Sequence, residues 1–139
     1  MSALKKEVLG YIHEEQWGHL ADYLRKHPNA IRHLLSGLHT TDSSTLTGIL
    51  HAFAITASTI DRERLLDLNR RLMWLLNEES GNHCPNAALA LAEIAQVQPE
   101  TVLPHLPVLK VYTEDPSPGI REACRKAVAR IEPLGSTLQ

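Results

Sequence analysis

Residues 103–131 read Leu-Pro-His-Leu-Pro-Val-Leu-Lys-Val-Tyr-Thr-Glu-Asp-Pro-Ser-Pro-Gly-Ile-Arg-Glu-Ala-Cys-Arg-Lys-Ala-Val-Ala-Arg-Ile. An apolar helix leads into a short Asp/Pro/Ser/Gly turn, and an Ala-rich amphipathic helix follows. A helical pair of this kind has an apolar face and nothing of its own to cover it. It must stack on neighbours, so this one segment predicts the architecture of the rest.

Upstream, the same pattern recurs in weaker form. Leu4, Val8, Leu9 and Ile12 fall at helical spacing, as do Trp17, Leu20, Ala21 and Leu24, then Ile31, Leu34, Leu35 and Leu38. His27-Pro28 ends the second of these stripes, and Pro28 suits the first turn of the third. Residues 39–44 are polar and read as a turn, with Asp42 or Ser43 as N-cap. A helix over Thr45 to Ala57 is expected despite Gly48 and several β-branched residues, which lower helix propensity. Asp61 is suited to cap the next helix, where Leu65, Leu68, Leu72 and Leu75 or Leu76 line one face. Arg64, Asp67, Arg70 and Arg71 take the other, with Asp67 and Arg71 in the favourable i,i+4 order. Trp74 is expected to face the core or lie half-buried. A polar loop over residues 77–86 precedes an Ala-rich helix that starts at Pro85 and ends near Gln98-Pro99.

No period-2 alternation persists, so strands are not expected. The punctuation gives about four antiparallel pairs, near residues 2–26, 28–58, 61–97 and 99–132, with residues 133–139 as a frayed tail. The second helices carry Ala52-Phe53-Ala54, Ala90-Leu91-Ala92 and Ala127-Val128-Ala129. Their spacing lies within or just below the ~40–47-residue period of HEAT and armadillo arrays. Small side chains at these positions let neighbouring helices approach closely.

The segment from Leu103 to Ile131 resembles one HEAT repeat, and residues 69–88 resemble a segment of small bacterial HEAT-like proteins of undefined function. The resemblance implies an all-α, right-handed α-solenoid of armadillo-like type. It also implies a structural ladder in which Asp115 in the turn meets Arg121 early in the following helix, carboxylate to guanidinium. Pro104 and Pro107 fit prolines that kink the first helix of such a pair. The ladder is not continuous, because Leu46 and Cys84 stand where the last pair has Arg121.

Composition removes several classes. The 139 residues are 43% hydrophobic but only 4% aromatic, so the core is expected to be built from Leu, Ile, Val and Ala. Net charge is −2 with both signs interspersed, and no basic block tracks a phosphate backbone, so nucleic acid is not an expected partner. Met1 to Ile12 lacks the continuous apolar core of a signal peptide, and no apolar run reaches the ~20 residues a membrane span needs. Cys84 and Cys124 form no Cys-x-x-Cys and read as free thiols of a reducing cytoplasm.

Catalytic signatures are missing: there is no Gly-x-Ser-x-Gly and no Gly-rich phosphate loop. Histidines six apart, such as His13 and His19, point away from each other on a helix, so no zinc site is read from them. The di-iron HEAT-repeat hydroxylases need repeated His-Glu pairs, and only His13-Glu14 is found. No cofactor or metal is expected. The expected function is therefore non-catalytic: a protein- or peptide-binding scaffold whose groove is lined by polar residues of the second helices, His51, Glu93, Arg121, Arg125 and Arg130. The alternative is a lyase-like small-ligand or metal-binding protein using Glu78, Glu79, Asn82 and His83 of the 77–86 loop, with Cys84 beside them. Self-association through an uncapped end, giving a homodimer, is a further expectation.

Overall fold

Several helices begin where a side chain or a proline serves the first turn. The computed structural model describes residues 3–77, 79 and 83–137; among them there is no strand. Helix α1 spans Ala3–His13 and α2 spans Trp17–Lys26. Pro28–Ala30 forms a 3-10 turn that runs directly into α3, Ile31–Gly37. Helix α4 covers Ser43–Thr59, capped by Asp42, whose carboxylate accepts the Thr45 N–H at 2.8 Å. Helix α5 covers Arg62–Leu75, capped by Asp61 through the Arg64 N–H at 3.2 Å. These caps satisfy amide groups that the helix itself leaves open.

Helix α6 spans Asn86–Val97. The first helix of the last hairpin is broken, as its prolines require: α7 over Pro99–Val102, a 3-10 turn over Leu103–His105, then α8 over Leu106–Tyr112. Helix α9 spans Pro118–Thr137 and passes through Pro133. It therefore runs beyond residue 132, where the chain was expected to fray. Leu134 explains the extension: it packs, partly buried, against the core and gives the last turn a tertiary contact.

The helices associate as neighbours in order. Helices α2, α4, α6 and α9 lie in a row, each packed on the next. Within hairpins α1 packs on α2, α3 on α4, α5 on α6 and α8 on α9; across hairpins α1 meets α3 and α5 meets α7. Helix α6 is at the centre, with Ala87, Ala88, Ala90, Leu91, Ala92, Ile94 and Ala95 all buried. Its alanines let α4 and α5 approach closely, and those helices contribute the fully buried Phe53 and Leu72 to the core.

Polar bonds fasten the layers at set points. Asn69, fully buried on α5, donates through Nδ2 to the Thr101 carbonyl of α7 at 3.1 Å. The Leu38 carbonyl, just past α3, accepts both Asn86 Nδ2 at 2.8 Å and Cys84 Sγ at 3.4 Å. In the last turn the outcome differs from the expected ladder. Arg121 Nη1 donates to the main-chain oxygen of Asp115 at 3.2 Å, while the Asp115 carboxylate accepts the Ser117 N–H at 2.9 Å. Both bonds close the turn of a single hairpin. The carboxylate is taken up by its own turn, which leaves Arg121 the carbonyl.

Gly48 also has a packing reason. A Cβ there would lie 2.9 Å from Ile12 Cγ2, so α1 and α4 approach as closely as they do because the position is bare. Gly10, within α1, has nothing near its missing Cβ. Overpacking costs about 1–3 kcal/mol, more than the ~1 kcal/mol that Ala gains in helix propensity. Gly48→Ala should therefore lower unfolding free energy in urea, whereas Gly10→Ala should raise it by about 0.5–1 kcal/mol. Equal shifts of the same sign would remove this account of the α1–α4 contact.

Both thiols are free and buried. Burial, then the Asp115 charge, pushes the Cys124 thiol up to about 12; burial also pushes Cys84 up. An unfolded chain gives up the Cys124 proton near 9.0, and the folded chain keeps it. The stability tied to this proton is complete below pH 9 and is lost as pH rises from there toward 12, at about 1.4 kcal/mol per unit. Urea midpoints should fall between pH 9 and 10.5, and Cys124→Ala should flatten that fall. A thiol reagent at pH 8 should label native protein only at the rate of unfolding; rapid labelling at both cysteines would contradict the buried assignment.

Candidate functional site

The face of α5 that turns away from the core carries Arg64, Asp67, Arg70, Arg71 and Trp74, all exposed. Leu65, Leu68, Asn69 and Leu72 form its buried stripe. Trp74 sits two positions past Leu72, about 200° around the helix, and is 53% exposed. The indole is thus not core-facing; with about half its surface covered, it takes the second of the two expected placements, half-buried. Asp67 and Arg71, although favourably spaced, do not close into an ion pair.

Opposite this face stands α3, and the two helices are separated by an open cleft. Its wider recess, about 610 Å³, lies between Pro28, Ile31 and Arg32 on one side and Glu63, Asp67 and Arg71 on the other. The narrower recess, about 520 Å³, is lined by Arg32, Leu35, Ser36, Arg70, Arg71, Trp74 and Leu75. Arg32, Arg70 and Arg71 border both. Leu35 and Leu75 give the narrow end an apolar floor, and the indole forms a wall.

The electrostatics of this face are positive. Arg32 Nε lies 3.4 Å from His33 Nε2. Burial, followed by the Arg32 and Lys5 charges, holds the His33 imidazole below its ordinary value. Burial, followed by the Arg70 charge, does the same to His105. Arg64 is drawn back to its own cap, 3.6 Å from Asp61.

The residues expected to line a groove on the second helices are distributed differently. Glu93 and Arg130 pair with each other across α6 and α9 at 2.9 Å. Arg125 Nε donates to the Thr113 carbonyl at 3.0 Å and, with Arg121, fastens the α8–α9 turn. His51 packs edge-on against Trp17 at 4.4 Å between centroids. It borders a separate recess of about 900 Å³ between the α1–α2 turn and α4, whose rim includes Glu15 in a left-handed conformation, φ 54°. The five do not converge on one surface.

In the 77–86 loop, Glu78 and Asn82 lie outside the described residues. The Glu79 N–H donates to Asn77 Oδ1 at 2.9 Å, which makes a local turn. His83 Nε2 is buried and lacks a hydrogen-bond partner among the described residues. Cys84 and Asn86 are committed to the Leu38 carbonyl. Among the described residues no three His, Cys, Asp or Glu side chains gather closely enough to hold a metal ion. In the last hairpin, whose uncapped end was expected to mediate self-association, α8 exposes Val108 and Val111. No helix among the described residues is long and apolar enough to cross a membrane.

The α3–α5 cleft was not read from the sequence as a site. The local signal was Arg70-Arg71 followed by Trp74, three and four positions on, upon a face otherwise charged. Arg32 arrives from another hairpin, so its part in the cleft has no local signature. No family model, curated protein or solved structure matches the chain at a significant level.

Proposed function

We propose that this chain is a non-catalytic interaction module of HEAT-like, armadillo-type architecture, a short right-handed α-solenoid that holds a segment of a partner protein. Two features support the architecture. Helices pack on those next to them in order, as a stack of hairpins does. The Ala-apolar-Ala triplets occupy α4, α6 and α9, the helices of one row. Two separate free thiols support a cytoplasmic location.

The observation that carries the binding reading is the α3–α5 cleft with its exposed tryptophan. A large aromatic side chain left in water beside arginines has the composition of an interface anchor. The cleft is open along its length, which suits an extended chain segment better than an enclosed small molecule. It lies between first helices of successive hairpins, so the binding face is the opposite of the one expected from the second helices. The 77–86 loop has less to offer a ligand, because Cys84 and Asn86 tie it to the preceding hairpin.

A random 12-residue peptide library displayed on phage tests this. The wild-type protein should enrich binders that compete with one another for one site. Trp74→Ala combined with Arg71→Ala, both at exposed positions, should weaken those binders by about tenfold or more, the loss of one anchor's ~1.4 kcal/mol or above, without lowering the melting temperature. Enriched peptides whose affinity ignores both substitutions would place binding elsewhere and retire the cleft.

A further inference from the structure

We infer that the occupant of the α3–α5 cleft is an acidic peptide segment, with carboxylates flanking an apolar or aromatic side chain. This rests on the binding role proposed for the cleft and specifies its chemistry.

The arginines carry the inference. Arg25, Arg62, Arg64, Arg121, Arg125 and Arg130 each stand at ion-pair distance from a carboxylate. The remaining arginines of the chain are Arg32, Arg70 and Arg71, and among the described residues none of the three has a carboxylate at that distance. These same three line the narrow recess together, and no acidic residue lines it with them. In a chain of net charge −2, the guanidinia that lack a carboxylate at ion-pair distance among the described residues thus gather at one point. Three like charges bordering one recess repel one another, and an anion seated among them relieves that repulsion. Burial chiefly depresses the imidazoles of His33 and His105, and the Arg32 and Arg70 charges add to it in second place.

The recess also specifies what accompanies the anion. Leu35, Leu75 and the indole of Trp74 offer an apolar floor and an aromatic wall beside the guanidinia. Guanidinium forks engage carboxylates in a bidentate manner, and an indole packs flat side chains. The volume of about 520 Å³ admits a few side chains of one segment. The chain then continues into the wider recess, where Glu63 and Asp67 on the rim end the anionic preference and set direction. A nucleic-acid strand also presents anions and flat rings. It would need positive charge along its track, and the wide recess alternates sign instead.

The test uses defined probes. One fluorescent 10-residue peptide alternates paired Glu with Phe; a second replaces every Glu by Gln; a third replaces every Glu by Lys. Binding is followed by peptide anisotropy and by tryptophan emission in Trp17→Phe protein, where Trp74 is the sole reporter. The Glu peptide should bind at least tenfold more tightly than the Gln peptide and shift Trp74 emission, and its affinity should fall as salt rises. Arg70→Ala with Arg71→Ala should remove that preference, whereas Arg25→Ala with Arg130→Ala, equal in charge and bordering neither recess of the cleft, should leave it. Arg70→Glu with Arg71→Glu should transfer the preference to the Lys peptide, a gain that misfolding cannot mimic. Equal affinity for Glu and Gln peptides, with Trp74 responding to both, would overturn the acidic assignment and leave the cleft as a peptide site. A silent Trp74 with every peptide would overturn both. A single-stranded oligonucleotide that displaces the Glu peptide at lower concentration would overturn the peptide assignment.

Discussion

The alanines of α6 set the distance at which everything else packs. This helix presents small side chains to α4, α5 and α9, and seven of its twelve residues are buried. Close approach of helix axes is possible only where side chains are short. Phe53 of α4 and Leu72 of α5, the helices that pack on α6 along with α9, are fully buried. Gly48 repeats the device one layer earlier, where Ile12 of α1 sits against bare backbone. With one phenylalanine and few other aromatics, the protein obtains its density from proximity rather than from large rings.

Polar contacts then fix the register of layers already held by apolar burial. The Asn69–Thr101 and Asn86–Leu38 bonds join different hairpins in buried or half-buried surroundings, where an unmet partner is costly. The Glu93–Arg130 and Arg62–Glu100 ion pairs also cross between hairpins but lie nearer to water, and each contributes at most about 1 kcal/mol. Arg121 and Arg125 are local: they hold the carbonyls of the α8–α9 turn and so deliver α9 at the right angle to α6.

Much of the helix layout was legible because its signals are local. Asp42 and Asp61 cap where a short polar side chain before an apolar stripe predicts a cap. The prolines at 99, 104 and 107 divide the first helix of the last hairpin as proline chemistry requires. The rest has a different origin. For Trp74 the chemical nature left core-facing and half-buried placements open, and its angle around α5 rules out the first. Asn69 drew no assignment from the sequence, because its partner comes from α7, thirty-two positions on. Arg121 was paired by resemblance with a carboxylate that the turn had already engaged through Ser117. The cleft went unread for the same reason: Arg32 meets Arg70 and Arg71 through tertiary placement, and periodicity within one helix carries no information about that.

The Leu38 carbonyl has a consequence for the order in which the molecule assembles. Its two donors, Asn86 and Cys84, lie more than forty residues downstream. During synthesis α3 leaves the ribosome with this oxygen facing solvent, and water serves it until residues 84–86 emerge. The second hairpin therefore has this one acceptor served by protein only when residues 84–86 are in place.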